Sequence, residues 1–366
     1  MLASRNKTTQ HIFIATSAGN EGSISPIQNG NSWVLTVAAG TMDQKFSANL
    51  KLEDGNITTG SAIYTRDFPA STQFPIVLSV GQCKYIDELN KIGRGKIVMC
   101  DSSARLFDQM ENVCRATVVG AIFLTNIMEL EDYLPTSFPA IFINLNDGKF
   151  IKNYIKTTER PKASLELKLT VLGTKPAPKI TSYSTRGPSI VCPYVLKPDI
   201  MAPGTLILAA WPPNISVLPP LVVYNKFNLM SGTSMACPQA AGVAALLKSV
   251  HPDWSPSAIQ SAMITTTYTN DNTKNPFKGL GDDNLLQPES PLAYGSGHMD
   301  PNKALHPGLI YNASVDDYIN LLCGLNYTKS QIKVIIRLNH VIKDCSMASL
   351  NLNYPSFIAF FKANDL

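Results

Sequence analysis

Ser231-Gly232-Thr233-Ser234-Met235-Ala236-Cys237-Pro238 constrains this chain more than any other stretch. A tight Gly-Thr turn delivers one hydroxyl, and the run behind it, from Gln239 to Ser249, is apolar almost all round. A helix without a polar face is normally buried. Pro238 suits a first helical turn, where a missing N–H costs nothing. The expectation is a buried helix with Ser234 at its N-terminus, where free N–H groups and the positive dipole end favour developing negative charge. Two readings follow. One is a nucleophilic serine; the other is a capping serine on a core helix, since Ser and Thr are preferred caps.

Three further segments weigh on that choice. Ala15-Thr16-Ser17-Ala18-Gly19-Asn20-Glu21-Gly22 follows the apolar run Ile12-Phe13-Ile14. Ser182-Tyr183-Ser184-Thr185-Arg186-Gly187-Pro188 and Lys197-Pro198-Asp199-Ile200-Met201-Ala202-Pro203-Gly204 come later. With Gly232-Thr233-Ser234-Met235-Ala236, they make the chain resemble the subtilisin-like serine proteases, the subtilases of peptidase family S8, and most closely their secreted plant branch. The resemblance covers almost the whole chain, including His251-Pro252-Asp253-Trp254-Ser255-Pro256 and Leu352-Asn353-Tyr354-Pro355-Ser356-Phe357. It implies an α/β fold with a doubly wound parallel sheet and helices on both faces.

The organisation along the chain agrees with that class. Residues 1–47 read as α/β core, with short apolar strands at Ile12 to Thr16 and Trp33 to Ala39. Strands apolar on both faces belong in covered parallel sheets. Residues 48–171 read as a separate, mainly β domain inserted in a surface loop, with Lys96 to Cys100, Gly120 to Leu124 and Pro139 to Asn144 as its clearest strands and a helix over Lys149 to Thr157. This insert resembles the protease-associated (PA) domain of plant subtilases, which the family links to substrate access and to homodimer contacts. The core resumes over 172–345, with strands at Ile207 to Trp211 and Phe227 to Met230. A helix should start at Ser255 as N-cap with Pro256 first. Residues 270–292 read as a mobile loop, and Val315 to Leu322 and Ser330 to Arg337 as short helices. Residues 350–366 resemble the opening strand of the family's fibronectin-III-like domain.

Composition narrows the function classes. Among 366 residues, 45% are hydrophobic and 16% charged, with a net charge of +4 and no long basic run, so no nucleic-acid partner is expected. No run of about 18 apolar residues suggests a membrane span. No ligand-spaced His/Cys/Asp/Glu cluster argues for a metal, and no cofactor is expected. The N-terminus lacks the apolar region of a signal peptide. Yet sequons at Asn6, Asn56, Asn214, Asn312 and Asn326, with seven cysteines, lean toward a secreted, extracellular glycoprotein. The conflict is read as a missing N-terminal portion. Disulfides Cys83–Cys100 and Cys323–Cys345 are the expected pairings.

The chemistry follows residue by residue. A serine hydroxyl needs a base to become a nucleophile, and peptide hydrolysis needs donors aimed at the oxyanion. By resemblance, Ser234 is the nucleophile, and the Asn20 side chain and the Ser234 backbone N–H form the oxyanion hole. Ser17, Ala18 and Gly19 line the substrate wall, with Gly232 and Thr233 beside the nucleophile, for a peptide or protein substrate bound as an extended strand. Subtilases carry Asp and His motifs upstream of the segment matching Ala18-Gly19-Asn20, and neither motif is present. His11 lacks the His-Gly-Thr context; His251, His298, His306 and His340 read as surface or packing residues. Gln239 stands where the family usually has a structural His, and Cys237 reads as a small buried hydrophobe. The leading expectation is a serine endopeptidase whose given chain lacks the triad Asp and His. The alternative is a non-catalytic glycoprotein that binds peptides or partners. An α/β-hydrolase would need Gly-x-Ser-x-Gly, and Ala236 occupies the last position.

Overall fold

The structure is a computed structural model that describes residues 12–358 apart from 24, 65–66, 103, 127–137, 218–223, 282–284, 337–344 and 346–347. It divides into two compact units. The first comprises Met1–Met42, Lys175–Ile207 and Met230–Leu366, and the second Asp43–Thr174 and Leu208–Leu229. His11, His340 and Asn6 lie outside the described residues.

The first unit opens with β1 (Ala15–Ser17) and β2 (Leu35–Gly40), which run parallel with Thr16 opposite Thr36. Every β2 residue is buried, as expected of a strand covered on both faces. The second unit follows as β3 (Gln44–Leu52), β4 (Ile57–Ser61), β5 (Phe74–Leu78), α1 (Ile86–Gly93), β6 (Ile97–Cys100), α2 (Leu106–Arg115), β7 (Gly120–Leu124), β8 (Ala140–Ile143), α3 (Leu145–Thr157) and β9 (Lys162–Leu172). Its strands close a barrel in the order β3-β4-β8-β7-β6-β5-β9. Neighbours from β5 to β8 are parallel and the remaining pairs antiparallel. Leu50, Ile97, Met99, Ile122, Leu124 and Ile141 fill its centre. Helix α3 starts a turn before the expected Lys149, because Asn144 caps it by accepting from the N–H groups of Asn146 and Asp147. Cys83 is bonded to Cys100, with Cα atoms 5.5 Å apart.

The chain returns through β10 (Ile200–Pro203), parallel to β2 with Ile200 opposite Val37. β11 (Ile207–Ala210) and β12 (Phe227–Met230) pair as a two-stranded sheet. Then come α4 (Thr233–Val250), α5 (Pro256–Thr265), β13 (Lys278–Leu280), β14 (Leu286–Pro288), α6 (Pro291–Tyr294), α7 (Pro301–Ala304), α8 (Val315–Gly324) and α9 (Lys329–Ile336). Ser255 caps α5 as expected, its Oγ accepting from Ala258 N–H with Pro256 first in the helix. Cys323 is bonded to Cys345.

The sheet β1-β2-β10 is parallel, with three strands among the described residues. Leu35, Val37, Ala39, Ile200 and Ala202 pack on Ala236, Ala240, Ala244 and Leu247 of α4. Ala38 and Met201 face the other way, onto Ile180, Phe277 and Ala293. That second face is covered by one buried ring and the four-residue α6 more than by long helices.

Four expectations are corrected. Helix α4 is not buried all round: Leu246 is 65% and Val250 56% exposed. The sheet and α5 cover part of it, and Leu246 and Val250 lie on the side left to solvent. Pro238 is the sixth residue of α4 rather than part of its first turn, because the helix begins directly after Gly232. It therefore withholds the N–H that would bond the Ser234 carbonyl. Residues 270–292 are not one open loop. β13 and β14 pair antiparallel there, Phe277 is fully buried, and Asp271 Oδ1 accepts from the N–H of Thr273 and of Asn275. Finally, no strand forms among the described residues of 348–358.

That last segment is held instead by Tyr354, which is buried in the first unit. Lys197, fully buried, donates from Nζ to Val34 O at 2.9 Å, Asp199 Oδ2 at 2.6 Å and Tyr354 Oη at 3.2 Å. Asp199 Oδ2 also accepts from Thr36 N–H at 2.6 Å, while Oδ1 accepts the Tyr354 hydroxyl. Gln260 Nε2 donates to Tyr354 Oη at 2.6 Å. Burial, with Asp199 adding to it, holds the Tyr354 phenol well above its ordinary pKa.

Candidate active site

Two short segments meet at the head of α4. The first is the turn after β1. Ala18 N–H donates to Val37 O at 3.0 Å, which keeps the chain beside β2 to the end of the strand. Gly19 then takes φ +118, a region L side chains rarely adopt. A Cβ there would sit 2.7 Å from Thr185 Oγ1, so geometry and space both demand glycine. Asn20 follows, exposed at the surface.

The second segment is Ser231 to Ser234. Gly232 N–H donates to Gly204 O at 2.9 Å, and Ser231 Oγ accepts from Leu206 N–H at 3.0 Å. Gly232 has φ +153 and ψ +157, after which α4 begins at Thr233. Ser234 is thus the second helical residue, and it is exposed. Gln239, one helical turn on, donates from Nε2 to Pro203 O at 2.6 Å and ties α4 to the end of β10.

Asn20 and Thr233, 213 positions apart, clamp the two segments together. Asn20 Oδ1 accepts from both the N–H and the hydroxyl of Thr233, each at 2.9 Å. Thr233 Oγ1 in turn accepts from Gly19 N–H at 3.2 Å. With the carbonyl end of the amide taken up by Thr233, its NH₂ end lies beside Gly232 and bonds no acceptor among the described residues. The Ser234 N–H has no acceptor among the described residues, as a first-turn amide should not. One side-chain donor, one backbone donor, one exposed hydroxyl and the positive end of an 18-residue helix therefore share one corner. Chemically, such a corner can stabilise an oxyanion next to a nucleophilic oxygen.

The Asn20 turn has its own anchors, and these were not singled out by residue-type reasoning. Thr185, buried, accepts through Oγ1 from Glu21 N–H at 3.0 Å and donates its own N–H to Gly19 O at 2.9 Å. Ser184 Oγ accepts from Ala39 N–H at 3.1 Å. Arg186 Nη1 binds the carbonyls of Thr181, Ser182 and Ser184, and Nη2 pairs with Glu289 at 2.7 Å. The only sequence signal was the Ser-Thr-Arg-Gly-Pro run itself, which carries no local rule that reveals a long-range anchor.

The comparisons with known proteins bear on this corner. A family model described as the Subtilase family matches residues 2–297. The chain belongs to the subtilase family. It is 40% identical over 98% of its length to Subtilisin-like protease SBT3 of Solanum lycopersicum, covering 48% of that protein. It is 37% identical over 97% of its length to Subtilisin-like protease SBT1.9 of Arabidopsis thaliana, covering 46% of it. This subtilase chain thus spans about half the length of the curated relatives it matches. Among solved structures, a psychrophilic subtilisin-like protease from Pseudoalteromonas is 14% identical, with a TM-score of 0.33 over 83% of this chain and 66% of that one; at that score the likeness carries no argument.

The other candidate residues lie elsewhere in the subtilase chain. His251 ends α4, far along the helix from Ser234, stacked on Trp254 at 3.9 Å with Nε2 on Leu305 O at 2.9 Å. His298 is buried, and burial pushes its pKa down to about 4, so its ring is neutral at pH 7. His306 is exposed. No histidine or carboxylate among the described residues bonds the Ser234 hydroxyl. Cys237 is half-buried, and burial raises its thiol, in keeping with a packing residue. Ser17 and Gly19 are half-buried and Ala18 buried along the approach to Asn20. Asn56, Asn214, Asn312 and Asn326 are exposed. No helix among the described residues is long and apolar enough to cross a membrane. No group of three or more His, Cys, Asp or Glu that could hold a metal occurs among them.

Proposed function

We propose that the chain carries the nucleophile and oxyanion corner of a serine endopeptidase. Ser234 Oγ attacks the peptide carbonyl carbon, its proton passes to a general base, and the carbonyl oxygen becomes the oxyanion. Asn20 Nδ2 and the Ser234 N–H then donate to that oxygen. The C–N bond breaks to leave an acyl-enzyme on Ser234, the amine leaves with the base's proton, and water hydrolyses the ester. The substrate lies extended along Ser17, Ala18 and Gly19, bonded mainly through its backbone. The observation that supports this most is the clamp of Asn20 Oδ1 on both donors of Thr233, the residue before the nucleophile, which leaves the amide NH₂ without an acceptor among the described residues. The base and its orienting carboxylate are not among the described residues, so the reading requires them from outside that set.

In the same reading, the barrel of the second unit is a PA domain inserted in the catalytic domain and a surface for homodimer contact. Leu350 onward leads into a fibronectin-III-like domain. The protein is secreted and carries glycans at its exposed sequons. The test is labelling of the full-length protein with a fluorophosphonate probe. Labelling that maps to Ser234 and vanishes in Ser234→Ala supports the reading; labelling indifferent to Ser234→Ala refutes it. A second reading, a peptide-binding subtilase without turnover, is favoured by a Ser234 hydroxyl that has no partner among the described residues and by Gln239. Full-length protein that binds an extended peptide but never reacts with the probe would select it.

A further inference from the structure

The backbone on either side of Asn20 is fixed by one buried residue, Thr185, which is 2% exposed. Its Oγ1 accepts from Glu21 N–H at 3.0 Å, and its own N–H donates to Gly19 O at 2.9 Å. Those bonds bracket Asn20. The same two segments are joined again one step on, where Gly22 N–H donates to Tyr183 O at 2.8 Å and Arg186 N–H to Gly22 O at 3.2 Å. No slack is left between them. A Cβ at position 19 would lie 2.7 Å from Thr185 Oγ1 and 3.3 Å from Thr185 Cβ.

Thr185 has a rigid footing of its own. Thr181 N–H and Oγ1 both donate to Ala39 O, at 3.2 and 3.1 Å, and Ser184 Oγ accepts from Ala39 N–H, so the segment before Thr185 is pinned to the end of β2. Arg186, directly after it, gathers the carbonyls of Thr181, Ser182 and Ser184 and is paired with Glu289. The Asn20 side chain is therefore held from two directions. Thr233 fixes its Oδ1 from the head of α4, and Thr185 fixes the backbone it hangs from. A donor to an oxyanion must be in place before the charge develops. A misplacement of about 1 Å can cost about 10²-fold in rate.

We infer, on the peptidase reading of the Ser234 corner, that Thr185 is a positioning residue for the oxyanion donor. It touches no substrate atom. It sets where Asn20 Nδ2 lies by holding the Gly19 carbonyl and the Glu21 amide. Because the oxyanion exists only beyond the ground state, loss of this hold lowers kcat and leaves KM in place.

The test measures peptide turnover by the full-length protein as wild type, Thr185→Val, Thr185→Ser, Asn20→Ala and Asn20→Ala with Thr185→Val. Valine has the shape of threonine without the hydroxyl, and the backbone bond to Gly19 survives the change, so the hydroxyl alone is removed. Thr185→Val should lower kcat about tenfold with KM within about twofold of wild type. Thr185→Ser keeps the acceptor and should restore kcat to within about twofold. In the Asn20→Ala background, Thr185→Val should cost less than about twofold more, because the group it positions is gone. One measurement needs no variant and decides the matter if Thr185→Val does not fold: in the wild type, the Glu21 amide should be protected from hydrogen exchange although Glu21 is exposed. Exchange of that amide at the open-chain rate, wild-type kcat in Thr185→Val, a loss that serine does not restore, or a tenfold loss that persists beside Asn20→Ala would each overturn the inference. A slow Asn20→Ala beside a fully active Thr185→Val overturns this inference alone; unchanged turnover in Ser234→Ala or Asn20→Ala overturns the reading of the corner as well.

Discussion

Replacing Lys197 by methionine tests the packing logic of the first unit most directly. All three ammonium protons of Lys197 are engaged inside the protein, on Val34 O, Asp199 Oδ2 and Tyr354 Oη. Both partners of the ion pair have no exposed side-chain surface. Lys197→Met fills similar space but strands the Asp199 carboxylate without a countercharge. Breaking one half of a buried pair costs about 3–5 kcal/mol. Tyr354→Phe keeps the ion pair and removes the hydroxyl that Asp199 Oδ1 and Gln260 Nε2 use, costing about 1.5–3 kcal/mol for a bond to a charged group. The double variant Lys197→Met with Asp199→Leu removes both charges and leaves Thr36 N–H and the Tyr354 O–H without their acceptor, while Val34 O keeps the Gln260 amide. It should cost less than Lys197→Met alone, giving a coupling of about 1–3 kcal/mol. Urea unfolding of the wild type, Lys197→Met, Asp199→Leu and the double variant, followed by circular dichroism, measures this cycle, with Tyr354→Phe measured beside it. Additive effects, or a Lys197→Met loss below about 1 kcal/mol, would refute the claim that this network is closed and desolvated.

Three other outcomes follow. His298 is neutral when folded because burial lowers its pKa from 6.5 to about 4, so the unfolded chain binds the extra proton. Stability is therefore present above pH 6.5 and is lost as pH falls from there toward 4, by up to about 3 kcal/mol; His298→Gln should flatten the slope of unfolding free energy in that window. Gly19→Ala must place a Cβ 2.7 Å from Thr185 Oγ1 at φ +118, and at about 1–3 kcal/mol of strain it should lower the thermal midpoint, whereas Gly55→Ala, with open space around it, should cost less. Asn20→Asp keeps an acceptor for Thr233 but loses the Nδ2 donor. In the full-length protein it should cut peptide turnover about 10²–10³-fold, the magnitude known for the matching donor of subtilisin, with little change in melting; equal loss of stability and turnover would reassign Asn20 to a purely structural part.

Local signals told most where they were self-contained. Ser255 with Pro256 marks the start of α5 because cap and first turn are decided within four residues. The apolar runs of β6, β7 and β8 read as strands because both of their faces are buried. Placing Ser234 at a helix head needed only Gly232 and the apolar run behind it. The extent of α4's burial could not be read that way, since composition does not say which stripe meets a sheet. Nor could Thr185 and Arg186 be read that way, since Thr185 bonds Glu21, 164 positions away. Tyr354 falls in a stretch that only the family resemblance gave as a strand, and no local pattern announced its hydroxyl bonds with Lys197 and Asp199.

The same hydroxyl network has a consequence for how the chain is made. At about 5–20 residues per second, some ten seconds or more of synthesis separate Asn20 from Thr233, and the contiguous barrel strands have time to fold in between. Lys197 and Asp199 emerge still later than that barrel, and their last partner, Tyr354, arrives 155 residues after Asp199. Until then the nascent first unit holds a carboxylate and an ammonium short of a hydroxyl that both of them use. A ribosome-bound chain stalled before residue 354 should therefore be open to protease in the segments around Val34 and Gln260, and should close to it only when the tail has passed the exit tunnel.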